Sequence, residues 1–201
     1  MADVSILIPV KDFGIAKERL RLGGVRDVTE LAQDLLTGVI NASAPRHVVV
    51  LTESNHVSDF ARRLGVEVFH SDSTNLNDAA ALAYQAIAKR FGVVMFVHGD
   101  LANPYGLGLF EPDPGITIVT DHHQRGTNVL VLPTGLDFHF SYGPHSRALH
   151  EREARRLGIA CRVVLESPWA LDIDEIGDLE MRPNSTRGGP EAPSNTRPRT
   201  D

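Results

Sequence analysis

Six charged side chains carry the chemistry most visible in this sequence: Lys11, Lys17 and Arg19 near its start, and Asp100, Asp172 and Asp174 far along it. The cations occupy a loop after the apolar run Ile6-Leu7-Ile8 and Pro9. Proline has no N–H to donate, so the sheet ladder is expected to end there. In open α/β sheets, ligands lie just beyond the carboxyl ends of the strands. Lysine and arginine placed at that point, with N–H groups from a short following helix, suit a polyphosphate. Asp100 likewise follows an apolar run, Val93 to Val97, while Asp172 and Asp174 stand two apart. An extended backbone turns residues at that spacing to the same side. Carboxylates grouped at one sheet edge are what Mg²⁺ takes from a protein when it is shared with phosphates. Each half also has a plainer reading: a solvated βα loop for the cations, and a helix N-cap at Asp174 beside a solvent-facing Asp172. A common sheet edge would make them one site, with cations and acids around a metal–polyphosphate.

A second candidate lies at Gly143-Pro144-His145-Ser146, ahead of a helix expected over 146–157. The first turn of a helix has unpaired N–H groups and the positive end of the dipole, and Gly143 would let the backbone approach a ligand closely. Ser146 could cap this helix and contact an anion, with Thr127 supplying another hydroxyl; plain capping is the competing reading. Other motifs fail on spacing. His150-Glu151 opens like a zinc-protease signature, but Ala154 occupies the position where the second histidine must stand. His122-His123 has no carboxylate or cysteine partner at ligand spacing, and there is no G-x-S-x-G elbow, which argues against a serine hydrolase.

The elements that would position these groups alternate. Asp27 is placed to cap a helix whose apolar residues Val28, Leu31, Ala32, Leu35, Leu36, Val39 and Ile40 follow helical spacing. Strands are expected over 47–52, 66–69 and 93–97, with helices over 56–64 and from about 77 to 90 between them. Strands interleaved with helices at this rhythm mean βαβ units: an α/β, Rossmann-like, mainly parallel sheet with helices on both faces. The second half is less regular, with strands expected over 116–120, 128–132, 161–165 and 170–174. Residues 1–182 read as a single domain. From Pro183 to Asp201 the chain is almost free of large apolar side chains and is expected to be a disordered tail.

The bulk properties narrow the class. A chain of 201 residues with 42% hydrophobic and 23% charged residues has the make-up of one ordinary globular domain. Its net charge of −6 argues against nucleic acid as a partner, while leaving room for a small anion held by a local cation cluster. One cysteine, Cys161, excludes an internal disulfide and reads as a small buried hydrophobe. With no long apolar segment and no leader-like start, no membrane association and a cytoplasmic location are expected.

Six segments in order then carry a resemblance. They are Ile8-Pro9-Val10-Lys11 with Ala16-Lys17-x-Arg19-Leu20, Leu76-Asn77-x-Ala79, Asp100-Leu101, Gly126-Thr127-Asn128, Phe140-x-Tyr142-Gly143-Pro144-x-Ser146, and Leu171-Asp172-Ile173-Asp174. Together they resemble the 2-phospho-L-lactate guanylyltransferase family of deazaflavin coenzyme biosynthesis. The resemblance implies a nucleotidyltransferase fold of the nucleotide-diphospho-sugar transferase type. It implies that Lys11, Lys17 and Arg19 hold the GTP phosphates and that Asn77 lies near the nucleoside. It also implies Mg²⁺ on Asp100, Asp172 and Asp174, with Lys17 sharing the catalytic role. The acceptor would lie near Thr127, Asn128, Gly143 and Ser146. A homodimer is left open. The chain departs from the family at Asn75, where glycine is usual, and at His98-Gly99-Asp100-Leu101-Ala102, where Pro-x-Asp-Leu-Pro is usual.

The expected reaction is transfer of GMP from GTP to the phosphate of 2-phospho-L-lactate, phosphoenolpyruvate or 3-phosphoglycerate, with release of pyrophosphate. A phosphomonoester has its second pKa near ~6, so the nucleophile is already an anion at neutral pH and needs no general base. The alternatives are a catalytically silent GTP-binding regulatory protein on the same fold, and a nucleotidyltransferase for a sugar phosphate or molybdopterin.

Overall fold

The computed structural model describes residues 3–182, and the tail expected to be disordered lies outside them. Seven strands form one sheet: β1 (Val4–Pro9), β2 (His47–Thr52), β3 (Glu67–His70), β4 (Val93–Val97), β5 (Ile116–Thr120), β6 (Thr127–Pro133) and β7 (Cys161–Val164). Their order is β3-β2-β1-β4-β6-β5-β7. Every neighbouring pair is parallel except the two that involve β6, which runs against β4 and β5. This is the mainly parallel, mixed sheet that the alternating pattern predicts.

The central strands are apolar on both sides because helices cover both faces. Ile6 and Ile8 of β1 join Val48, Val50 and Met95 on one face, which is closed by α2 (Val28–Ala42) and α3 (Asn55–Arg63). Leu7, between them, points the other way with Val49, Leu51, Val94 and Phe96, under α4 (Leu76–Ile87) and α5 (Ser146–Leu157). A third, smaller core decides where the site forms. Leu20 of α1 (Glu18–Leu22) and Ile173, both 0% exposed, pack with Val28 and Leu35. Ile173 lies between Asp172 and Asp174; its side chain is buried in this core, while Asp172 is half-buried and Asp174 exposed outside it. Full burial of such a side chain contributes about 2–3 kcal/mol, enough to dock this segment against the opening loop.

Local details depart from expectation in physically readable ways. Asp27 occupies the N-cap of α2, but in the left-handed region (φ 54°) and without a side-chain cap bond. The stretch 170–174 is no strand: a 3₁₀ turn, Pro168–Ala170, leads to one isolated bridge between Leu101 and Asp172, and α6 (Ile176–Met181) is capped by Glu175 rather than Asp174. Helix α4 begins at Leu76 because the Asn75 side chain accepts from the Asn77 N–H at 2.9 Å, and it ends at Ile87, short of Arg90. Among the described residues, no helix is long and apolar enough to cross a membrane.

Candidate active site

A cleft of about 570 Å³ opens beyond the carboxyl ends of β1, β2, β3 and β4. The loop after β1 contributes Val10, Lys11, Phe13 and Lys17; Thr52 and Glu53 follow from β2; Ser71, Ser73 and Thr74 come from beyond β3. His98, Gly99 and Asp100 enter after β4, and Asp172, Asp174 and Gly143 close the far side. The chain passes close at Gly99: a Cβ there would sit 3.2 Å from Ile8, 3.3 Å from Val10 and 3.4 Å from Leu36, so these side chains would have to give by a few tenths of an ångström.

Lys17 is the hub. Its Nζ donates to Asp100 Oδ2 and, at 2.8 Å, to Asp174 Oδ1, across 157 residues of sequence. Its side chain is only 6% exposed. Burial alone would lower the ammonium pKa, but the two carboxylates outweigh it and raise it. Burial pushes the Asp100 carboxyl upward in the same way, and the Lys17 ammonium overrides it, holding Asp100 below the usual carboxylate range. Asp172 makes no salt bridge to lysine or arginine among the described residues. Burial raises its pKa, and the neighbouring Asp100 charge pushes it further the same way. The site therefore holds more negative charge than its own lysine neutralises.

That surplus is the demand a cation would meet. One ligand atom from each of His98, Asp100 and Asp172 lies within 4.8 Å of the others. Asp100 Oδ1 is buried without a hydrogen-bond partner among the described residues. Oxygen donors in this state fit a divalent ion. Asp174 stands outside this trio and faces Lys17. His98 is absent from the sequence expectation, although it stands two before Asp100, the same spacing that links Asp172 to Asp174.

The remaining residues separate into two groups. Lys11 lies exposed in the cleft, and Arg19 lines it while its Nη1 donates to Glu175 Oε1 at 2.7 Å. Gly143 lines it at φ 125°, a backbone region that favours glycine. Asn77, Thr127, Asn128 and Ser146 do not line it. The Asn77 amide clamps the Tyr142 backbone, accepting from its N–H at 2.6 Å and donating to its carbonyl at 3.3 Å. Asn128, 2% exposed, donates to the carbonyls of Trp169 and Ala170 and to Asp172 Oδ1 at 3.2 Å. Thr127 and Ser146 are buried as well, at 1% and 3%, with Ser146 Oγ turned to Thr127 Oγ1 at 3.4 Å. Ser146 does not cap α5; His145 holds the N-cap position, in the left-handed region, and makes no side-chain cap bond. The reversal of β6 explains this placement, because it brings Thr127 and Asn128 to the cleft edge of β4 but inside its wall.

Beneath Gly143 lies a wholly buried histidine. The Ser141 N–H donates to His150 Nε2 at 3.1 Å, which fixes Nε2 as an acceptor. The proton of the neutral ring is then on Nδ1, which faces Thr127 Oγ1 at 3.1 Å. Burial holds this imidazole down to about 4.

The sequence pattern of the family described as "Guanylyl transferase CofC like" matches residues 4–182. The chain is 30% identical to the phosphoenolpyruvate guanylyltransferase of Roseiflexus castenholzii, covering 88% of this chain and 86% of that protein. It is 29% identical to the 3-phospho-D-glycerate guanylyltransferase of Colwellia psychrerythraea, covering 88% and 90%. Among solved structures, a nucleotidyl transferase from Methanothermobacter superposes with a TM-score of 0.63 at 14% identity, over 89% of this chain and 95% of that one. A cytidylyltransferase from Leptospira borgpetersenii gives 0.56 at 18% identity, over 90% and 84%.

Proposed function

The chain belongs to the CofC-like guanylyl transferase family, and from that premise we propose that it transfers GMP from GTP to the phosphate of a three-carbon phosphoacid. An acceptor phosphate oxygen attacks the α-phosphorus of GTP, the bond to the bridging oxygen of the β-phosphate breaks, and pyrophosphate leaves. The acceptor is phosphoenolpyruvate, 3-phosphoglycerate or 2-phospho-L-lactate. The observation that carries this reading is the meeting of Lys17 with Asp100 and Asp174 in one cleft, where cations and acids surround the space a triphosphate needs.

Lys11 and Lys17, with Arg19 at the rim, bind the triphosphate and take up charge as pyrophosphate departs. Asp100 and Asp172 would hold a divalent cation, Mg²⁺ by the family resemblance, while Asp174 orients Lys17. When bound, that ion adds positive charge at the reacting phosphate oxygens. No side chain has to remove a proton, because the acceptor phosphate is already an anion. We assign the base to the part of the cleft lined by Glu53, Ser71, Ser73 and Thr74. Guanine presents two adjacent donors, its N1–H and 2-amino group, and the Glu53 carboxylate matches them in a bidentate pair. Asn77, Thr127, Asn128 and Ser146 act from behind the wall: Asn77 holds the Tyr142-Gly143 backbone and Asn128 holds Asp172.

A pyrophosphate-release screen of four nucleoside triphosphates against the three phosphoacids tests this. Release with GTP in the presence of a phosphoacid is expected. Tight GTP binding with no release against any acceptor would instead identify a silent GTP-binding protein.

A further inference from the structure

Resting on the reading of the cleft as a cation-assisted transferase site, we propose that His98 is a nitrogen ligand of its ion, so that this chain binds Mn²⁺ or Co²⁺ more tightly than Mg²⁺. The trio whose donor atoms converge is His98, Asp100 and Asp172, all within 4.8 Å of one another. Two donors at ~2.1 Å from one ion are at most ~4.2 Å apart, so small side-chain rotations close this group around a cation. The third acid, Asp174, is turned to Lys17. Lys17 takes Oδ2 of Asp100 and leaves Oδ1 buried and without a hydrogen-bond partner among the described residues. The donor set is therefore two carboxylate oxygens and one imidazole nitrogen.

The backbone holds these three residues in register. The His98 N–H donates to the Asn128 carbonyl at 3.0 Å, and the Asn128 amide donates to Asp172 Oδ1 at 3.2 Å. The Ile173 N–H donates to the Asp100 carbonyl at 3.1 Å, and the Ala102 N–H to the Leu171 carbonyl at 2.8 Å. Asn128 thus braces both arms of the site, as outer partners of metal ligands do. Mg²⁺ prefers oxygen donors throughout, whereas imidazole favours first-row transition ions, with Co²⁺ ahead of Mn²⁺. Three protein donors leave positions for phosphate oxygens.

The test uses the full chain with ¹⁵N-labelled histidine, loaded with Mn²⁺ alone and with Mn²⁺ plus GTP, and read by pulsed electron paramagnetic resonance. A ¹⁵N coupling to the bound Mn²⁺ is expected, and its loss in His98→Gln. In competition titrations Mn²⁺ should bind the wild type at least roughly tenfold more tightly than Mg²⁺, a gap that closes in the variant. The coupling in the wild type shows a histidine ligand whether or not the variant folds, and its loss in a folded variant assigns that ligand to His98 among the nine histidines. Mn²⁺ bound without ¹⁵N coupling in either state overturns the role of His98 and leaves the transferase reading standing. No Mn²⁺ binding in either state overturns both the role of His98 and the cation site.

Discussion

His150 gives the structure's most quantitative prediction, and it joins stability to the shape of the cleft. The ring is 0% exposed, and its unprotonated Nε2 accepts from the Ser141 N–H. Protonation would set an N–H against an N–H in a fully buried site. The native pKa is about 4, against ~6.5 for an unfolded histidine. The unfolded chain therefore binds the proton first, and stability falls as pH drops from about 6.5 towards 4. Across the whole window the difference amounts to about 3 kcal/mol, of which about 2 kcal/mol is already lost at pH 5. Carboxylates held below their ordinary range, such as Asp12 and Glu153, contribute lower on the pH scale, and the raised Asp172 carboxyl works in the opposite direction, so the difference between wild type and the His150 variant isolates the histidine. Urea unfolding at pH 7.5 and pH 5 should show the loss in the wild type. In His150→Gln, whose amide keeps one donor and one acceptor but does not titrate, most of that pH dependence should vanish. Because Ser141 precedes Tyr142 and Gly143, the KM for GTP in the wild type should rise only as pH approaches 4, where the native ring takes its proton. An equal acid slope in both proteins, or an NMR titration of His150 near 6.5, would refute the argument.

Three further outcomes are expected. Asp172→Asn should reduce pyrophosphate release by at least roughly a hundredfold while the melting temperature holds or rises, because the change removes a half-buried charge that the neighbouring Asp100 disfavours; near-normal release would remove Asp172 from the chemistry. Lys17→Met leaves Asp100 and Asp174 without their cation and should cost on the order of 2 kcal/mol in denaturant unfolding, alongside loss of turnover. Glu53→Gln should erode the preference for GTP over ITP, which lacks the 2-amino group, by roughly tenfold or more in kcat/KM; an unchanged ratio would place base reading elsewhere.

Several elements were legible before any coordinates. Strands 47–52, 93–97 and 116–120 and helix 146–157 appear with the expected bounds, because continuous apolar runs and helical spacing record burial locally. The same logic marked the loop after β1 and the acids after the apolar runs. It misassigned 170–174 because two acids at alternating positions look the same in a strand and in a bridged loop.

What residue order determined on its own was which segments are strands or helices and where charge gathers at their ends, since both follow from short-range periodicity. Which of those ends meet was decided by the tertiary structure. Leu20 and Ile173 bury together in one small core, and that packing brings Lys17 to Asp174 across 157 residues. The reversed β6 sets Thr127 and Asn128 inside the wall, buried and outside the lining of the cleft. His98 joins Asp100 and Asp172 because backbone hydrogen bonds tie the end of β4 to the Leu171–Ile173 segment. Contacts of this kind depend on sheet order and strand direction, which local sequence patterns do not encode.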